Sequence, residues 1–221
     1  LLIDDNNAKQ TEGIFLALAQ HPNIQIKLFN PYRFRKYRAL DMIFDLKRIN
    51  RRMHNKSFIT DHQVALIGGR NMTNQYYNVS DSYQFSDVDV MLFGTAVNDI
   101  SQSFDDYWNH EYAYDVREIV NPKSHRLSYE SLKQQLDDHY KKSTVQNYLD
   151  LTSESTAIKS LMNREIALDW VKAEVVKDSP DKVKSKAKKH EHLNFQLINH
   201  LEKPEKNIDL ISAYFVPEKK G

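Results

Sequence analysis

The chain has 221 residues, 40% of them apolar, with a net charge of +1 and no cysteine. That length holds one ordinary domain and part of a second, and the apolar share is enough to build a core. Disulfide scaffolds and thiolate metal sites are excluded, and no apolar run approaches the ~20 residues of a membrane-spanning helix.

The opening Leu1-Leu2-Ile3-Asp4-Asp5 reads as the end of a buried strand. Ile14, Phe15, Leu18 and Ala19 recur at helical spacing and predict a helix over 11–20. His21-Pro22-Asn23 stops it. Residues 24–29 alternate apolar and polar as a strand does, and Pro31 closes that strand. A second helix is predicted over 40–49, with Leu40, Ile43, Phe44 and Leu46 as its apolar side. Strands follow over 53–60 and 64–67, joined by a turn at Asp61-His62-Gln63. Another strand is predicted over 88–93, ended by Gly94, and then a helix over 99–108 carrying Ile100, Phe104 and Trp108. This alternation predicts an α/β fold with a largely covered sheet.

Past residue 116 the texture changes. Residues 127–151 are polar and helical in pattern, 170–176 form a candidate strand, and 177–192 are rich in lysine. A charge run of that kind reads first as a solvated loop and helix face. A helix over 193–201 and a strand over 208–215 close the chain. That last strand looks like the first strand of a second copy, so the chain is expected to be cut from a longer protein.

Charge is unevenly spread. Over residues 32–52, Arg33, Arg35, Lys36, Arg38, Lys47, Arg48, Arg51 and Arg52 face only Asp41 and Asp45, a balance of +6 that leaves −5 elsewhere. Such a patch suggests an anionic partner. Tyr32, Phe34 and Tyr37 interleave with the cations. Aromatic rings suit the headgroup level of a bilayer, and each cation near an anionic surface contributes about 1 kcal/mol. A basic loop folded back on its own domain fits the same residues equally well.

The chemistry concentrates between His54 and Asn71. His54-x-Lys56, Asp61 and Gly68-Gly69-x-Asn71 fix six positions in eighteen residues. An imidazole can attack phosphorus and carry the group covalently. An ammonium two residues along a strand lies on the same face, where it can neutralise phosphate oxygens. Glycines at 68 and 69 let the backbone approach a ligand, and the Asn71 amide can donate to a phosphate oxygen. Asp61 completes the pattern from within the turn, a place that suits a structural role. His190-Glu191-His192 shows no third ligand cluster and does not read as a zinc site.

These six positions are the HKD motif, and the chain resembles the phospholipase D superfamily, most nearly the bacterial cardiolipin synthases of the C type. The likeness extends through Leu1 to Asn7, Phe29-Asn30-Pro31, Asn50 to Phe58, Phe85 to Val90 and Ser212 to Pro217, and is loosest over 118–206. It implies an α-β-α sandwich, with residues 1–117 as a first repeat, 118–206 as a mainly helical region between repeats, and 207–221 as the start of a second. It implies a phosphatidyl group transferred from a phospholipid through a phosphohistidine to the hydroxyl of phosphatidylglycerol, with no metal or other cofactor.

By position, His54 would be the nucleophile, Lys56 and Asn71 the phosphate clamp, and Asp87 the acid that orients the imidazole, with Asp89 as the alternative. Superfamily members often carry serine where this chain has Gly69, so that hydroxyl contact is missing here. The chain shows one HxK, so the second half-site would come from further along the protein or from another subunit. The implied place is peripheral, on the cytoplasmic side of a bacterial inner membrane. A hydrolytic phosphodiesterase and a binding-only remnant remain as other readings. Nothing in the residues points to base recognition by a nuclease.

Overall fold

A computed structural model of the protein describes residues 1–77, 83–200 and 206–207. Within them the fold is mixed α/β, with two separate three-stranded sheets. The first is built from β1 (Leu2–Asp4), β2 (Lys27–Phe29) and β6 (Ala113–Asp115). β1 runs parallel to β2 and β2 antiparallel to β6, with Ile3 opposite Leu28 and Leu28 opposite Tyr114. Parallel neighbours need a crossover, and α1 (Glu12–Leu18) supplies it. Leu16 and Ala19 pack with Ile26, Leu28, Val116 and Val120 into one core. α5 (Val116–Ile119) follows β6, and its first turn is capped by Asp115, which accepts from the Arg117 amide.

The second sheet is a meander of β3 (Ser57–Thr60), β4 (Val64–Gly68) and β5 (Asp89–Phe93). The β3–β4 turn places Asp61 and His62 at φ 51° and 54°, the left-handed region that Asp and His tolerate better than most residues. α4 (Ala96–Trp108) lays Val97 and Ile100 on Ala65, flanked by Ile59, Ile67 and Leu92. The opposite face carries Phe58, Leu66 and Met91, which are register partners across all three strands. Phe58 is 69% exposed, and Leu66 and Met91 are exposed as well. The expectation of a largely covered sheet therefore fails on this face, because α4 reaches only the other side.

The helix predicted over 40–49 divides into α2 (Arg38–Phe44) and α3 (Leu46–Ile49). Asp45 separates them at φ −144°, with its carboxylate accepting from Arg48 Nε at 2.6 Å. Short acidic side chains compete in this way with the helical backbone. The polar helical stretch over 127–151 likewise becomes α6 (Tyr129–Tyr140) and α7 (Ser143–Ser153), and α8 (Thr156–Met162) follows. Ser128 and Ser155 cap α6 and α8 by accepting amides three residues on. α8 was not anticipated, although Ser155 is the type of residue that begins a helix.

No strand forms over 170–176. Trp170 is 92% exposed, and apolar content alone cannot make a strand that has no neighbour to receive its backbone bonds. The lysine-rich stretch docks on the domain through short turns at Pro180–Lys184 and Lys189–Glu191. Val183 is buried with Phe29 and Tyr107, and Lys177 reaches Asp106 at 2.7 Å. α9 spans Leu193–His200. The strand expected over 208–215 lies outside the described residues. Among the described residues, no helix is long and apolar enough to cross a membrane.

Candidate active site

The segment 51–56 runs without regular structure into β3, so His54 and Lys56 precede the strand instead of lying in it. The expected strand over 53–60 begins only at Ser57, because Met53 is tied elsewhere. Its amide donates to Asp4 Oδ2 at 2.9 Å, and the neighbouring Arg52 Nε lies 3.1 Å from Asp4 Oδ1. Burial pushes the Asp4 carboxyl above its ordinary range, and the Arg52 charge partly offsets that push. The end of β1 thereby fixes the two residues just before His54.

The His54 ring is exposed, and its Nδ1 stands 3.1 Å from the Arg52 carbonyl oxygen. A carbonyl can only accept. This hydrogen bond therefore exists when Nδ1 carries the proton, which leaves the Nε2 lone pair outward in the neutral ring. That is the tautomer a nucleophile needs. The expectation that an acid orients the ring differs from what is seen, since here a backbone carbonyl holds Nδ1. Lys56 Nζ folds back to donate to the His54 carbonyl at 2.8 Å. Among the described residues no carboxylate pairs with Lys56, so its charge stays open to an anion.

Gly68 ends β4 and Gly69 begins the next arm. A β-carbon at Gly68 would collide with the Asp89 carboxylate, and one at Gly69 would lie 2.6 Å from Asp87 Oδ2. What approaches these glycines in the structure is thus a pair of acids. Arg70 organises the arm: Nε donates to Asp89 at 2.6 Å, Nη1 to the Tyr76 carbonyl at 2.5 Å and Nη2 to the Asp87 carbonyl at 3.1 Å. The bond to Asp89 holds the Arg70 guanidinium above its usual range. Asp87 accepts from the Val88 amide at 2.8 Å, and the Asn71 amide donates to the Tyr76 hydroxyl at 3.3 Å.

Two groups result, His54 with Lys56 and the arm 68–71 with its acids, and among the described residues no hydrogen bond joins them. Sequence reasoning passed over Arg70 as the variable position of Gly-Gly-x-Asn. Its only signal was a cation placed between two glycines and an amide.

Most of the basic stretch is spent internally. Arg35 pairs with Asp5 at 2.5 Å and also with Glu12, and Arg38 lies 3.5 Å from Glu12. Arg52 takes Asp4 and the Asn30 carbonyl. Arg51 donates to the Lys182 carbonyl at 2.6 Å and to Ser185. Of the six cations expected to form an anion patch, Arg33 and Lys36 remain exposed, and Arg33 lies 3.6 Å from Asp45. Asp4, Asp5 and Glu12, far earlier in the chain, fold against the stretch, as does the loop at Lys182 and Ser185 far beyond it, and local charge counting cannot register partners so distant.

No family model and no solved structure matches the chain. Among curated proteins it is 36% identical, over all 221 residues, to cardiolipin synthase C of Escherichia coli, of which it covers 46%. Uncharacterized proteins from two strains of Helicobacter pylori are each 38% identical over 110 residues, which is 49% of this chain and 22% of theirs. The chain thus spans less than half the length of the curated relatives it matches.

Proposed function

The chain belongs to the phospholipase D superfamily, and from that membership we propose that the protein is a phospholipid phosphatidyltransferase of cardiolipin synthase type. The observation that carries this reading is an exposed His54, its Nδ1 3.1 Å from the Arg52 carbonyl oxygen, beside Lys56, which no carboxylate pairs among the described residues.

His54 Nε2 attacks the phosphorus of a phosphatidyl group, forming the N–P bond as the bond from phosphorus to the leaving alcohol oxygen breaks. A second histidine, from the other half-site, protonates that oxygen. The same histidine then takes the proton from a hydroxyl of phosphatidylglycerol as its oxygen displaces His54. Lys56 neutralises charge on the phosphoryl oxygens and the Asn71 amide donates a hydrogen bond to one of them. Asp61 serves the hairpin turn.

Asp87 keeps the part that the resemblance gives it. A carboxylate near the ring favours the cationic imidazolium-like intermediate. On this reading residues 1–117 form a first repeat of an α-β-α sandwich, 118–206 the region between repeats and 207–221 the opening of the second repeat. The protein works at the membrane surface, and the 221-residue piece alone turns over only when paired.

The test is the protein at its natural length, given labelled phosphatidylglycerol with and without phosphatidylethanolamine. Labelled cardiolipin is expected. No cardiolipin at any lipid ratio removes the reading, and release of phosphatidic acid in its place makes the enzyme a hydrolase.

A further inference from the structure

α2 and α3 are packed inside out. Asp41 of α2 is fully buried, and it accepts from the Phe34 amide at 2.8 Å and the Arg33 amide at 3.3 Å. Arg48 of α3 is also buried, reaching Asp45, the Asn30 side chain and the Pro31 carbonyl. Ile49 turns inward, but the other large apolar residues of the two helices point the other way. Ile43 is 73% and Phe44 75% exposed, and Tyr37, Met42 and Leu46 are exposed beside them. Single exposed apolar residues are ordinary, but a contiguous group of this size marks an interaction surface.

The charge around the group selects the partner. Of the two acids of the stretch, Asp41 lies in the interior, and the half-buried Asp45 is taken by Arg48 at 2.6 Å and by Arg33 at 3.6 Å. The cations that face outward without an acid among the described residues are Lys36 and Lys47. An apolar centre fringed by cations and by the Tyr37 ring matches the boundary between acyl chains and anionic headgroups. A second copy fits poorly, because a self-complementary contact would set this cationic fringe against itself.

We propose that the α2–α3 segment is a membrane-docking element, inserting Ile43, Phe44 and Leu46 into an anionic bilayer while Lys36 and Lys47 take the headgroup phosphates. The choice of a lipid partner rests on the phospholipid reading above. The segment leads directly into Arg51, Arg52 and His54, so docking it brings the exposed imidazole down to the headgroup plane. The basic stretch then acts with two sides: its buried arginines hold the segment to the domain, and its exposed cations hold the domain to lipid.

The experiment measures partition of the natural-length protein onto phosphatidylglycerol–phosphatidylcholine vesicles and onto pure phosphatidylcholine vesicles by flotation. Ile43→Ser with Phe44→Ser is expected to lower partition on the mixed vesicles by about tenfold or more, the scale set by two large apolar side chains no longer leaving water. Lys36→Gln with Lys47→Gln is expected to lower it by about tenfold on the mixed vesicles only. Thermal unfolding checks that each variant keeps its fold. As a second readout, Phe44→Trp is expected to gain fluorescence quenching by bromine-labelled phosphatidylglycerol relative to the parent.

Unchanged partition of the serine variant, no quenching at position 44, or self-association that the serine variant abolishes in the absence of lipid would each overturn the proposal. Transfer activity in detergent micelles separates the two readings. A parent protein that docks but makes no cardiolipin in micelles sinks the chemistry and leaves the docking. A parent that makes cardiolipin without inserting position 44 sinks the docking alone.

Discussion

The Asp4 carboxylate accepts from the Met53 amide at 2.9 Å, and this one bond ties the end of the first strand to the residue preceding His54. The two positions lie forty-nine apart in sequence. With Arg52 on its other oxygen, Asp4 sets the height and angle at which the imidazole leaves the domain.

Asp4→Asn keeps an acceptor but loses the charge that faces Arg52. Because Asp4 positions the ring without touching substrate, kcat is expected to fall while KM holds. The drop is expected within about 10²-fold, the cost of a small misplacement of a reacting group. Steady-state kinetics on matched folded fractions check this, and a change confined to KM would contradict it.

The same carboxylate gives a signed pH dependence. Burial raises its pKa above the ordinary 3.8, against the opposing pull of Arg52. The folded state therefore binds this proton more tightly than the unfolded state. Its contribution to stability is complete below 3.8 and is lost as pH climbs through the raised folded value. Urea unfolding of the parent and Asp4→Asn should show the parent losing stability relative to the variant across that rise. A difference that moves the other way contradicts the assignment.

Gly69→Ala places a methyl group 2.6 Å and 2.7 Å from the two Asp87 oxygens. Such overpacking is expected to cost about 1–3 kcal/mol. Adding Asp87→Ser shortens the opposing side chain and should recover part of the loss, a coupling that a double-mutant cycle reads directly. Fully additive losses would mean that the two residues do not press on one another.

On the proposed reading His54→Asn removes the nucleophile, whereas Asp87→Asn removes a charge that favours the cationic ring. Transfer should become undetectable in the first variant. In the second it should slow by roughly 10–10³-fold, in the range of a group that stabilises charge without bonding to the reacting atom. Equal residual rates in pre-steady-state assays would show that the two roles are misassigned.

The residues of the candidate site are named from types and spacing that suit the proposed chemistry. His54, Lys56 and the paired glycines could be named before any fold was known, and the hairpin of β3 and β4 followed from the turn at Asp61-His62-Gln63. The rest needed partners distant in sequence. Helical spacing gave Ile43 and Phe44 a common side but could not say that Asp41 would occupy the interior. Arg35 and Arg52 looked like free charge until Asp5, Glu12 and Asp4 folded against them. Trp170 and Val171 had the composition of a strand and no edge to join. The Nδ1–Arg52 carbonyl contact depends on local backbone path, which no residue type announces.

The most direct test of the central claim is to quench the natural-length protein during turnover with a donor labelled in its phosphatidyl group, and to locate the covalent label by peptide mapping. The account predicts an acid-labile, alkali-stable label on the peptide that carries His54, absent in His54→Asn. A label on a different histidine, or cardiolipin formed at the parent rate by His54→Asn, would contradict it.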